Sequence, residues 1–296
     1  MLIAALVAGS HFPNAQSLFD KMSGYVKAHP SEQDARNMAW KQTNCKDSSG
    51  ANSASDGDLD IALAYALAHA QWGSSGAVNY AAEFQRAVLG VSAADVNTAK
   101  TLVLLGDWVE QSDTKYAAAT RSSDFMPGHY RVFAELTGNA SWNTLIAHTL
   151  GLVTKVANPT TGLLPDFIVD AGNINTAKPS PANVLESGND GAYYYNACRA
   201  PWRLGTDFVM TGNAELKSYL QRVTGFINGA TSGDAAKIRA GYNLNGSPVS
   251  NSNYQTMAFV APFGVAAMAS PSHQAFLDSV WSTAVANTGE GYYADR

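Results

Sequence analysis

The chain has 296 residues and a net charge of −5, with only 15% of its residues charged against about a quarter in an average soluble protein. No lysine or arginine cluster stands out, which argues against a nucleic-acid partner, and its 2 cysteines, Cys45 and Cys198, make neither a metal-ligand spacing nor a disulfide framework. Asn, Ser, Thr, Gly and Tyr supply the polarity instead, a composition common in extracellular proteins that meet neutral polymers, and the length suits one barrel-sized domain over 1–296.

The opening MLIAALVAG is apolar but lacks a basic n-region and an A-x-A cleavage site. It is also far too short to span a bilayer, so it is expected as part of a buried helix. Helical spacing follows over 14–28, 58–72, 77–90, 93–110, 127–137 and 141–156, and again over 190–210, 213–228, 254–269 and 272–286. GSSG at 73–76 and TGN at 137–139 and 211–213 read as helix-closing glycines followed by N-caps. No stretch alternates with a period of two, so the fold class is expected to be all-α, with helical hairpins stacked in a ring or a globin-like pile; the lack of a fixed-period repeat argues against a regular solenoid. The segment 157–189 holds four prolines and few helix formers, and loops of that length are usually functional.

Three aspartates head the 58–72 helix, in ASDGDLDI at 54–61. A calcium loop is excluded because Ile61 and Leu67 stand where an EF-hand needs Gly and Glu. Helix capping by Ser55 or Asp56 accounts for one or two acids, but three in one turn repel one another. Helical geometry puts Asp56 and Asp60 on one side and turns Asp58 away, leaving Asp56 at the helix lip as a substrate-facing carboxylate.

A second cluster, GAYYYNACRAPWRLGTDF at 191–208, places Tyr195, Asn196 and Arg199 near one face. They either hold sugar hydroxyls and orient a carboxylate or stitch helices together; for Arg203 and Asp207 the structural role is the better one. Glu186, in PANVLESGND, is a lone acid that is either an exposed loop residue or a functional one. Of the 6 tryptophans, Trp40 in the non-helical NMAWKQ is the stacking candidate, whereas Trp72, Trp108 and Trp142 sit at core spacing. Tyr130, in PGHYRVFAELT, is a further substrate-contact candidate. No G-x-S-x-G elbow, P-loop, G-x-G-x-x-G or H-E-x-x-H is present, so no metal or cofactor is expected.

ASDGDLDIALAYALAHAQW resembles the signature of glycoside hydrolase family 8: Ala, Ser or Thr, Asp, Ala or Gly, Asp, two variable positions, Ile, Ala, and a terminal aromatic. Tyr65 stands where that signature has an aliphatic residue. GDW at 106–108, SDFMP at 123–127 and YNACRAPWR at 195–203 are similar to further blocks of the family, in the same order. The resemblance implies an (α/α)₆ barrel, secretion or a periplasmic location, and inverting hydrolysis of a β-1,4-linked polysaccharide, with glucan ahead of xylan, chitosan or mixed-linkage glucan. It makes Asp56 the aspartate at the central sugar; Asp58, Tyr130, Trp40, Tyr195, Asn196 and Arg199 are the candidates expected around the substrate. One branch of the family uses an aspartate as base where this chain has Asn196. An amide cannot take that proton, and a second branch with asparagine there draws its base from an inserted loop, which matches Glu186. The family's acid, a glutamate in a pattern like S-E-G-x-G-Y-G-M, would precede Met1, and the terminal GEGYYADR resembles the start of a last helix. A barrel short of one helical hairpin is therefore expected. It allows weak activity, recruitment of Asp58 as acid, sugar binding without turnover, and dimerisation through the open seam.

Overall fold

The computed structural model describes residues 1–9, 11–287 and 289; the stretch expected to begin a last helix lies, but for Gly289, outside them. Among the described residues there are ten α-helices and only short strands of two or three residues. The chain forms two compact units, Met1–Ala117 with His129–Thr144, and Ala118–Gly128 with Leu145–Arg296.

The first unit contains α1 (Leu2–Leu6), α2 (Ala15–Ala28), α3 (Ser55–Trp72) and α4 (Tyr80–Gly90), most of α5 (Pro127–Thr137) and the first turn of α6 (Ser141–Val156). α3 packs on α4 and on α1, and α1 on α2. Phe19, fully buried, meets the edges of Tyr65, Trp72 and Tyr80 with ring centroids 5.4–5.8 Å apart. Ser23 Oγ lies 2.7 Å from Tyr65 Oη, which satisfies the hydroxyl of the tyrosine that replaces an aliphatic residue. α1 is not the buried helix expected: Ala5 is its only buried residue, and Ile3 and Leu6 are 73% and 68% exposed.

The expected helix over 93–110 does not form. A π-turn at Val91–Asp95 ends α4, and a hairpin follows, pairing Val96–Asn97 with Leu102–Val103. Asn97 sets the turn, its Oδ1 accepting from the Lys100 amide at 3.1 Å while Thr101 adopts a positive φ of 54°. Leu102, Val103, Leu104 and Leu105 are all buried, and a run buried on every side has no face for helical spacing to report.

The second unit contains the rest of α6, then α7 (Ala200–Thr211), α8 (Ala214–Thr231), α9 (Met257–Ala267) and α10 (Gln274–Ala286). α9 is its hub, packed against α7, α8 and α10. Tyr193, Phe259 and Phe263 are buried together there, with centroids 5.7 and 6.0 Å from the tyrosine ring. The TGN at 211–213 behaves as expected. Gly212 closes α7 in the left-handed conformation, and the Asn213 side chain accepts from the Glu215 and Leu216 amides to open α8. The expected helical start at 190–199 is instead turn and a single 3₁₀ turn, Ala197–Arg199. Within 157–189, Phe167–Val169 pairs antiparallel with Thr120–Arg121 on one side and Lys178–Pro179 on the other. That small sheet carries Arg121 and brings Asp166 beneath the 194–197 turn.

Candidate active site

In the first unit, α3 starts after the extended Ala54, and no side chain caps it. Ser55 is fully buried and donates its hydroxyl to the Leu104 carbonyl at 2.7 Å, so the expected cap is spent on tertiary structure. Asp56 is half-buried, its Oδ1 accepting from the Gly57 amide at 2.9 Å. With Met38, Ala39, Trp40, Ala54, Gly57, Asp58 and Ile61 it lines a pocket of about 280 Å³. Trp40 is 63% exposed on the non-helical segment, held by its amide bonding to the Asn52 carbonyl at 2.9 Å. A rigid aromatic beside a carboxylate offers a pyranose one apolar face and one polar edge. Asp60, on the same side of α3, is engaged by His129 Nε2 at 2.8 Å.

Asp58 turns inward as its helical phase requires, and at 4% exposure it forms the pocket's floor. Its Oδ1 accepts from the Met38 amide at 2.9 Å, two residues before Trp40. Beside it Ser53 joins two more acids: its amide donates to Asp107 Oδ1 at 2.7 Å and its hydroxyl to Asp95 Oδ1 at 3.3 Å, with Asn37 Nδ2 on Asp95 Oδ2 at 3.0 Å. Burial, with the negative charges of Asp107 and Asp56 adding to it, pushes Asp58 up to about 8. Asp95, fully buried, is also pushed well above the carboxylate range by burial and its acidic neighbours.

In the second unit the 190–199 turn replaces the expected helix face and brings Glu186, Asn196 and Arg199 together. Asp190, buried, accepts from the amides of Leu185, Glu186 and Ser187 at 2.8, 3.1 and 2.7 Å, fixing the loop backbone that bears the glutamate. Glu186 is therefore anchored although its side chain is 46% exposed. Its Oε2 accepts from Asn196 Nδ2 at 2.8 Å, and its Oε1 lies 3.7 Å from Arg121 Nε. Arg199 Nη2 donates to Asn196 Oδ1 at 3.0 Å. Tyr195, next to Asn196 in the turn, is 39% exposed, with its hydroxyl 2.9 Å from that of Tyr254. Asp166 sits under the turn, accepting from the amides of Tyr194, Asn196 and Ala197 at 2.8, 3.1 and 2.7 Å, while burial raises it to about 7.

Tyr130 is a correction. It has no exposed surface, and its ring stacks on Trp142 with centroids 6.0 Å apart, so it is core rather than a substrate contact. Arg203 and Asp207 are both buried on α7, in keeping with a structural role. Sequence reasoning missed Arg121, Asp166 and Asp190. Asp166 carries a readable signal, a single acid in the apolar run LLPDFIV.

The sequence profile of the glycosyl hydrolases family 8 matches residues 4–296. The chain is 40% identical over 298 residues to a beta-glucanase of Niallia circulans, covering 99% of this chain and 71% of that one. It is 36% identical to an endoglucanase of Bacillus sp. (strain KSM-330), covering 100% of this chain and 62% of that one. The apo structure of a beta-1,3-1,4-glucanase from Paenibacillus sp. X4 superposes with a TM-score of 0.93 at 41% identity, covering 99% of this chain and 77% of that one. A xylanase from Teredinibacter turnerae shares the fold at 20% identity and a TM-score of 0.77. The fold class is thus (α/α)₆, and this chain belongs to the glycosyl hydrolases family 8 and is a glycoside hydrolase.

Proposed function

We propose that the protein is an endo-acting, inverting hydrolase of β-1,4 bonds in β-glucan, with residues 1–296 serving as its catalytic domain. Inversion needs a carboxylic acid to protonate the leaving oxygen and a carboxylate to activate water on the opposite face of the sugar. We assign the second duty to Glu186 and the steadying of the distorted sugar to Asp56, with Trp40 as its stacking surface. The observation that carries the reading is the pairing of Glu186 with Asn196: position 196 holds an amide that has no proton-accepting carboxylate, and that amide donates to the loop glutamate instead. One hydrogen bond and one guanidinium at 3.7 Å fix the carboxylate and leave it lone pairs for water. A polymeric substrate is too large to enter a cell, which supports action outside the cytoplasm. Among the described residues no helix is long and apolar enough to cross a membrane.

A second reading concerns the polymer. The 41% identity to a beta-1,3-1,4-glucanase favours mixed-linkage glucan over an all-β-1,4 chain. Reducing-end release from barley-type mixed-linkage glucan and from carboxymethylcellulose, run side by side, separates the two. Proton NMR of the first product reads the anomeric outcome, α for inversion. Glu186→Gln and Asp56→Asn are each expected to lower turnover by about 10²–10⁴-fold. Wild-type release by Glu186→Gln would refute the base assignment, and the same result for Asp56→Asn would refute the sugar-facing carboxylate.

A further inference from the structure

Asn196 sits between two acids and an arginine. Its Nδ2 is 2.8 Å from Glu186 Oε2 and 3.4 Å from Asp166 Oδ2, and its Oδ1 receives Arg199 Nη2 at 3.0 Å. An amide nitrogen carries two hydrogens, so one group serves both carboxylates. Turned through 180°, the same amide would set its oxygen against Asp166 and Glu186 and its NH₂ against the guanidinium. The acid on one side and the arginine on the other thus select one orientation of the two.

Asp166 holds more than the side chain. It is 3% exposed, and its two oxygens accept from the backbone amides of Tyr194, Asn196 and Ala197 as well. All four groups around it are donors, so the site calls for an acceptor-only side chain, which among the isosteric pair Asp and Asn is the ionised Asp alone. It is itself fixed from behind: its amide donates to the Ala192 carbonyl at 2.7 Å, and its carbonyl accepts from the Ser122 amide at 3.1 Å.

We infer that Asp166 is a positioning residue for the reaction, acting through Asn196 to turn that amide's NH₂ towards Glu186 and so set the carboxylate that meets water. The inference rests on Glu186 being the base. An asparagine at 166 has one acceptor end. Keeping the shorter bonds to Ala197 and Tyr194 points its NH₂ at the two N–H groups of Asn196. The Asn196 amide then turns, presenting Oδ1 to the Glu186 carboxylate.

The test is a double-mutant cycle on kcat and KM with mixed-linkage glucan. Asp166→Asn and Asn196→Ala are each expected to lower kcat on the order of 10²-fold, the scale of a misplaced reacting group, with KM within about twofold. The double variant is expected to be no slower than the slower single one, because both changes remove the same bridge. A merely structural role predicts losses that multiply, and multiplying losses would overturn the inference. So would wild-type kcat in either single variant. Asn196→Ala leaves every backbone bond to Asp166 in place, so it carries the test should Asp166→Asn not fold. Glu186→Gln separates the two levels. If it is inactive while Asp166→Asn and Asn196→Ala keep full kcat, the base assignment stands and the positioning role falls; if it is fully active, the base assignment itself falls.

Discussion

Asp58→Asn tests the acidic floor of the Trp40 pocket through stability rather than activity. The folded carboxyl is raised to about 8 from an ordinary 3.8. Between those values the native chain holds a proton that the unfolded chain has released. Stability then falls as pH rises, with a limiting slope of ~1.4 kcal/mol per pH unit for one proton. The contribution is complete below about pH 4 and gone above about pH 8. Asparagine copies the protonated acid: its oxygen can take the Met38 amide, now bonded at 2.9 Å, and it has nothing to titrate. From pH 5 to pH 7 the wild type should therefore lose ~3 kcal/mol relative to Asp58→Asn. At about 2 °C per kcal/mol for a chain of this size, that is roughly 5 °C in the difference between their Tm values. Thermal unfolding by circular dichroism at pH 5, 6, 7 and 8, at matched ionic strength, reads it directly. Tm curves that run parallel across that range would show that Asp58 carries no native proton, and the account of the floor would be wrong.

Trp40→Ala should raise KM for long oligosaccharides roughly tenfold with kcat little changed, since a stacking surface binds ground and transition states alike; an unchanged KM would remove Trp40 from the site. Gly162→Ala should destabilise by about 2 kcal/mol or more in urea unfolding, because φ is +75° and a Cβ there would lie 2.8 Å from the Val223 backbone nitrogen; a neutral change would contradict that packing. Tyr193→Phe should be neutral or stabilising by up to ~1 kcal/mol, as the buried tyrosine hydroxyl has no hydrogen-bond partner among the described residues. A loss above ~1 kcal/mol in the same assay would mean that the hydroxyl is paired.

Where a helix is amphipathic, the sequence locates it closely. The spans 14–28, 127–137 and 141–156 match α2, α5 and α6 to within a residue, because one apolar face against one polar face is what helical spacing records. The 93–110 stretch misleads for the opposite reason: its apolar residues are buried on every side, and the deciding features are an asparagine turn and one positive φ, both local. The site divides in the same way. Asp56 and Trp40 stand out through context within a few residues of each. The group of Asp58, Asp95 and Asp107 joins three separate segments at Ser53, and no short-range pattern links them. Tyr130 fails as a candidate because a tyrosine in an amphipathic helix reads the same whether its ring faces a ligand or, as here, another ring. Glu186 and Asn196 are legible through the amide at 196, but Asp166 is a long-range partner, 30 residues from Asn196.

The shared amide of Asn196 also constrains how such a site can change over generations. Replacing it with aspartate would set a third carboxyl group within hydrogen-bonding range of two others, where two acids now face a common donor. Such a trio keeps at least one extra proton, and the proton sits among the very groups that should be ready to receive one from water. A base added at 196 while another is kept at 186 would therefore share its proton with that neighbour and not titrate on its own. The two positions would titrate as one coupled set, so moving the duty from the loop acid to the turn alters the proton balance of both.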